Sequence, residues 1–247
     1  MSNAWLDHFQ MTVYEGEITG ITGLADSGLT CIADVLSGRT GIEQGRIYLA
    51  GQKTEIQSLE VARNSGIHVI SEKPVLFEHL TLEENICLAE RDFFSSINFP
   101  SKKQIKRIRR CMEELECFLD LKKSAMALTA VEKHMVEMLR TYYNGGKVLL
   151  LNHIVGNCSE KECEQLFELI QRLKERGAGI VILDTSIERI QIISDTVLVM
   201  RGGRVEGICQ GRKISKTEIE HILMGDYSIP DTCKKAFYME KKDRSWS

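Results

Sequence analysis

Residues Ile18–Leu36, ITGITGLADSGLTCIADVL, decide how the rest of the chain is read. Ile18 to Thr22 is a short apolar strand. It runs into a loop with glycines at 23 and 28, and the loop opens an apolar helix that continues through Leu36. Strand, Gly-x4-Gly-x-Thr loop and helix form the layout in which backbone N–H groups and a helix N-terminus cradle a polyphosphate. The candidate cradle is Gly23, Asp26, Ser27, Gly28, Leu29 and Thr30. One position departs from that chemistry, because Leu29 stands where a lysine belongs. The bare pattern also describes an ordinary tight β–α turn, so the surrounding sequence has to decide.

Composition bounds the answer. At 247 residues the chain has ample material for a buried core. Its 32 Lys+Arg against 35 Asp+Glu leave a net charge of −3, which gives no global pull toward nucleic acid or an anionic surface. Eight cysteines occur with no Cys-x-x-Cys pair. That spacing fits reduced, partly buried thiols, neither a disulfide framework nor a zinc site. No apolar run has the length of a membrane span and no signal peptide opens the chain, so direct membrane insertion is not expected. Met1-Ser-Asn-Ala4 reads as a leader left by expression, and the chain as a segment of something longer.

Outward from the loop, α/β alternation holds. Phe9–Tyr14 alternates as a strand would, and Gly45–Gly51 encloses another. Ser58 caps a short helix to Asn64, and Gly66–Ile70 is a buried-type strand. From the capping pattern Thr81-Leu-Glu-Glu84 to about Tyr143 the β signals vanish. Within that stretch Ser101–Leu121 is predicted as one amphipathic helix. Its run Lys102, Lys103, Lys106, Arg107, Arg109, Arg110 reads as a solvated face and not a nucleic-acid patch, since no aromatics interleave. Strand signals return at Val148–Leu151, followed by a long helix from Ser159 to Arg176 with Gly177 beyond it. Ile180–Leu183, Ile187–Ile193 and Thr196–Met200 read as strand, helix and strand. A hairpin at Arg201–Arg204, a strand Val205–Ile208 and a helix Ser215–Met224 follow, with a polar tail from Asp226.

This order resembles the ATP-binding cassette of ABC transporters over roughly residues 6–225, most of all the cassettes of bacterial monosaccharide importers. Gly66-Ile-His-Val-Ile-Ser-Glu72 with Leu80-Thr-Leu-Glu-Glu-Asn-Ile86 is similar to their Q-loop strand and the segment after it. Leu128-Thr-Ala-Val-Glu-Lys-His-Met-Val-Glu137 is similar to their signature region, and Val148–Arg204, ending in Ser194-Asp-x-Val-Leu-Val-Met-Arg-x-Gly-Arg204, overlays without a gap. The resemblance implies an α/β P-loop NTPase fold: a RecA-like mixed sheet with an antiparallel β edge and an inserted α-helical subdomain. It implies one nucleotide-binding domain over 5–225, its core 5–81 and 146–225 and its helical subdomain 82–145, with a mobile tail 226–247.

In that family a loop lysine neutralises the β/γ-phosphates, the next hydroxyl and a carboxylate at the end of the strand matching Val148–Leu151 ligate magnesium, and a following glutamate polarises water. Here Leu29 replaces the lysine, while Thr30 is kept. Asp26 replaces a glycine, putting a carboxylate near phosphate oxygens and giving up an easy positive φ. The catalytic positions implied by resemblance are Glu72 for the Q-loop glutamine, His153 for the glutamate and Thr185 for the switch histidine. Thr30 and Asn152 take the magnesium positions. In the signature Thr129 stands for serine and Val131 for glycine. Ile154-Val155 replace the usual Pro-Thr, and Asn157-Cys158-Ser159 occupy the D-loop. The register does not make Trp5 or Phe9 the adenine-stacking aromatic.

Imidazole has a suitable pKa for a base at 153, but no lysine, metal carboxylate or switch histidine remains to position a γ-phosphate. The leading expectation is a cassette linked to sugar import whose hydrolytic chemistry has lapsed. Its expected partners are another cassette, as homo- or heterodimer, or the coupling helix of a sugar permease subunit, at the inner face of the membrane. The groove for that subunit's coupling helix is implied between Glu72–Leu76 and the helical insertion. A scaffold with no transporter and a slow ATPase with weakly held Mg·ATP are the alternatives.

Overall fold

The computed structural model describes residues 5–88, 100–156, 158–210 and 215–225. The expectations for Met1–Ala4, Asn157 and the tail from Asp226 lie outside them.

Five parallel strands carry the centre of the molecule. β1 (Ile18–Gly23) is flanked by β6 (Gly179–Leu183) and β7 (Thr196–Arg201); β5 (Val148–Asn152) and β4 (Ile67–Ile70) continue on the β6 side. β8 (Arg204–Gln210) returns antiparallel along β7 and forms the far edge. The order β4-β5-β6-β1-β7-β8 explains the apolar runs read from sequence, because a parallel strand covered on both faces has no polar side. β1 is buried along all six residues. Its first N–H donates to the Asp195 carboxylate at 2.8 Å, and Lys174 meets the same carboxylate at 2.7 Å, so the sheet's start is pinned by charge.

One face packs on α1 (Leu29–Leu36), with Ile21, Leu150, Val181, Leu183, Leu198 and Met200 in a common cluster. The other face packs on the long α6 (Glu160–Glu175), the short α7 (Ile187–Ile193) and α8 (Lys216–Met224), and its cluster runs on into the helices between β4 and β5. Those helices are α3 (Leu82–Cys87), α4 (Lys102–Glu114) and α5 (Ala130–Tyr143). α3, α4, α5, α6 and α8 all begin with a Ser or Thr capping box, which fixes where each chain segment enters its helix. No helix among the described residues is long and apolar enough to cross a membrane.

Two expectations need correction. Phe9–Tyr14 forms no strand: Phe9, Met11 and Val13 lean on the α1-side cluster, so the alternation reports packing without a ladder. The amphipathic helix ends at Glu114, seven residues early. Glu116 turns left-handed (φ 49°) and Cys117 N–H closes back on Met112 at 2.9 Å, a helix stop that no glycine announces. The strand expected within Gly45–Gly51 forms as β2 (Ile47–Leu49), closed by a turn through Ala50 and Gly51 at positive φ, and pairs with β3 (Gln52–Thr54). α2 (Leu59–Asn64) follows, capped by Ser58 as read from sequence.

Candidate functional site

Because β4, β5, β6 and β1 run parallel, the loops after them open at one edge of the sheet, where ligands of open α/β folds bind. The topology therefore gathers Glu72, Asn152, His153, Thr185 and the Gly23–Thr30 loop. Asn152 of β5, Leu183 of β6 and Ile21 of β1 stand abreast in register. Thr129 lies elsewhere: it caps α5 and lines a groove with Phe118, Met135 and Ser159.

The loop itself is ordered by its own backbone. Gly28 caps α1 in the left-handed region (φ 96°), and Ser27 N–H donates to Leu24 at 2.9 Å inside the loop. Gly203 N–H donates to Ser27 at 3.0 Å, and Asp7 N–H to Gly203 at 3.0 Å, so the β7–β8 turn and the N-terminal segment brace the loop from behind. A side chain on Gly28 would meet Leu6 and the Trp5 carbonyl at 3.1 Å. Trp5 thus passes beside the loop with its ring mostly exposed, whereas Phe9 packs inward.

Asp26 is exposed and is not among the residues with positive φ, so the strain expected there is absent; the left-handed demand falls on Gly28. The strained residue of this edge is His153, at φ 55°, its N–H donating to Leu183 at 2.8 Å. Leu29 does not reach across the loop as a lysine would. It is 5 % exposed and belongs to the α1-side core cluster. Of the loop residues 23–30 only Asp26 is charged. Thr30 and Thr185 are exposed, and so is Glu72, which keeps a partner of its own. The hydroxyls of Thr22 and Ser27 and the Asn152 Oδ1 are buried without a protein partner.

The family now follows from more than the fold. The sequence profile described as ABC transporter matches residues 6–153. The chain belongs to the ABC transporter family. The cassette is 24 % identical over 221 residues to a ribose import ATP-binding protein of Clostridium perfringens, covering 89 % of this chain and 44 % of that protein. To the putative ribose/galactose/methyl galactoside import ATP-binding protein of Halalkalibacterium halodurans it is 25 % identical, covering 89 % and 42 %. It spans less than half the length of these relatives. A solved nucleotide-free ATP-binding cassette from an ABC transporter superposes with a TM-score of 0.74 at 17 % identity, covering 94 % of this chain and 92 % of that one. A second ABC-transporter cassette gives 0.77, also at 17 %, covering 90 % and 92 %. At that identity the likeness speaks for the fold, an α/β cassette with a mixed sheet.

Two further features bear on the expected positions, the first of them away from the loop edge. Val131, which the sequence resemblance sets against the signature's glycine, is 5 % exposed within the main core cluster. Thr129 accepts the Glu132 N–H at 3.2 Å while its own N–H donates to Glu132 at 2.8 Å, and these bonds with Lys123 hold the Glu132 carboxyl below its usual range. Asp184, which the sequence reading passed over in favour of Thr185, is the buried carboxylate of the edge. It accepts the N–H groups of Ser186 (2.9 Å) and Gly156 (3.0 Å) and so fixes the loop after His153. Asp184-x-Ser186 ahead of a helical run was the available signal, an Asx turn.

The segment Pro74–Glu78, after the Q-loop position, is held quite differently. Glu137 of α5, 4 % exposed, accepts the Val75 N–H at 3.1 Å and binds Arg140 at 3.2 Å, and Arg140 reaches the Val75 carbonyl at 3.3 Å. Asn85 of α3, fully buried, accepts the Phe77 N–H at 2.8 Å and donates to the carbonyls of Phe77 and Thr81 at 3.0 and 3.1 Å. Ser124 Oγ and Met126 N–H both donate to the Glu78 carbonyl. The backbone is tied down while Val75, Phe77 and Met126 stay exposed.

Proposed function

We propose that this cassette serves an ABC-type carbohydrate importer as a docking and structural element and has given up ATP hydrolysis. What carries the reading is the fate of two positions: Leu29 and Val131, where phosphate chemistry calls for a lysine and a bare backbone, are both packed into the core. Each contributes about 1.5–3 kcal/mol by burial, so folding now depends on the residues that replaced the chemistry.

Mg·ATP fits this edge poorly. A triphosphate brings several negative charges, and the loop meets them with one carboxylate and no cation. The unpartnered Asn152 and Thr22 oxygens are neutral acceptors, weak holders of a hard divalent ion. The α1 amides remain as a residual anion-binding feature. We derive no hydrolytic step from such a set, and His153 as a lone base has no positioned phosphate to serve.

The partner-facing side supports the other half of the proposal. The backbone of 74–78 is tied to α3 and α5 and leaves Val75 and Phe77, with Met126, as exposed apolar side chains near the Glu72 loop. There a coupling helix of a permease subunit would seat. The sugar-import names belong to the relatives, and we extend them to this chain. The proposed unit is one cassette domain over 5–225, paired with a second cassette and peripheral to the cytoplasmic face of the membrane.

Calorimetry with Mg·ATP on the purified protein, with thermal shift and phosphate release alongside, tests the reading. Millimolar nucleotide is expected to give no heat, no rise in Tm and no turnover. Micromolar binding or measurable turnover overturns it.

A further inference from the structure

We propose that Cys158 and Cys163 form a reversible oxidation site, a pair of facing thiols that a peroxide closes into an intramolecular disulfide. Both cysteines are buried, and their Sγ atoms lie 2.8 Å apart. Local sequence dictates the contact. Ser159 caps α6 and makes a capping box with Glu162, its N–H and hydroxyl donating to that carboxylate at 2.9 and 2.6 Å. Cys158 therefore precedes the cap and Cys163 is the fourth helical residue, the two positions whose side chains meet in a hydrophobic staple. Here the staple is built from two sulfurs. Arg189 of α7 holds its outer limb, donating to the carbonyls of Val155 and Cys158, with a guanidinium nitrogen 3.6 Å from the Cys158 sulfur.

The chemistry needs only a peroxide. Cys158, as thiolate, attacks one peroxide oxygen; the O–O bond breaks, the departing hydroxide takes up a proton as water, and Cys158 becomes a sulfenic acid. The Cys163 thiol then attacks that sulfur, the S–O bond breaks, and a second water leaves as the S–S bond forms. Two thiols and one hydrogen peroxide become one disulfide and two waters, with two electrons passing from sulfur to oxygen. Cys158 is the attacking thiol because Arg189 faces its sulfur. Burial and the facing Cys163 hold that thiol up to about 12 even with Arg189 beside it, so attack waits until its sulfur is exposed to water, where Arg189 favours the thiolate. Once closed, the bond fixes to α6 the loop that follows Asn152 and His153.

The test treats the reduced protein with hydrogen peroxide, alkylates remaining thiols and maps tryptic peptides. Lys161 lies between the two cysteines, so a Cys158–Cys163 link joins two separate peptides and is read directly. The expected result is that both cysteines lose alkylation together in one link that dithiothreitol reverses, while Cys111, Cys117 and Cys209 stay alkylatable. C163A is expected to trap a dimedone adduct on Cys158 in place of the link. Peroxide that leaves Cys158 and Cys163 alkylatable while consuming the more exposed Cys31, or that links either to another cysteine, overturns the proposal. The wild-type map decides even if the variant folds poorly.

Discussion

The edge around residues 23–30 and the exposed patch around residues 74–78 lie at loops of the same sheet, and they are built in opposite ways. At the first, Leu29 is core and three buried oxygens have no protein partner. At the second, buried Glu137 and Asn85 hold the backbone so that Val75 and Phe77 are presented to solvent. Burying a carboxylate costs several kcal/mol unless it is paired, and leaving an apolar residue exposed forgoes its burial. At 74–78 the buried polar groups are used to fix the backbone beneath exposed apolar side chains, whereas at the loop buried oxygens are left unpaired.

The largest break in this contrast comes from removing Glu137. Glu137→Ala strands the Arg140 guanidinium and the Val75 N–H, and a loss of about 3 kcal/mol is expected. Urea denaturation measures it. Hydrogen exchange is expected to show the loss of protection concentrated at 74–78, and a uniform change would mean that Glu137 supports the core and not the patch. From the other side, Leu29→Lys restores the family residue but puts an ammonium where the core cluster wants carbon. A loss of about 2 kcal/mol with no gain in nucleotide binding is expected. If the variant instead binds Mg·ATP at undiminished stability, the loop was never committed to the core.

His68 sharpens the comparison through pH. It sits on β4 beside Arg63 and Arg140, and burial first, then those two cations, lower its pKa to about 4. The unfolded chain takes up a proton as pH falls through about 6.5, while the folded one resists until about 4. Stability from this residue is therefore complete above the unfolded value and is lost as pH falls from there. At pH 5 the loss is about 2 kcal/mol. Denaturation at pH 7 and pH 5 reads it, and His68→Gln is expected to flatten the difference. An unchanged slope in that variant would assign the acid sensitivity to other groups.

The fold was legible because its signals are local. The run Ile18–Thr22, the continuous apolar strands and the Ser and Thr caps each specify an element without reference to distant residues. What escaped was set by tertiary context. Glu116 adopts a left-handed conformation that only its surroundings favour, so α4 stops early, and Phe9–Tyr14 alternates because it lies on a cluster. At the site, sequence named the positions but not the directions. It could not tell that Leu29 and Val131 point into the core, or that Asp184, one residue before Thr185, is the carboxylate that organises the edge. The Asp26 backbone strain was argued from a glycine pattern, and the structure places that conformation at Gly28.

Thr129 is where the comparison is finest, because its hydroxyl admits two readings. As a serine substitute in the signature it would face a phosphate; as an N-cap it belongs to α5. The structure gives that oxygen a fixed task, accepting the Glu132 N–H, while Glu132 closes the box from the other end. Thr129→Ala is accordingly expected to cost about 1 kcal/mol, and Thr129→Ser to cost little, because serine caps as well as threonine. Neither change is expected to alter the response to nucleotide or the pairing with a second cassette. A Thr129→Ala variant of unchanged Tm that loses the proposed pairing with a second cassette would return the residue to the signature role, and the proposed loss of hydrolysis would then rest on the loop and the strand ends alone.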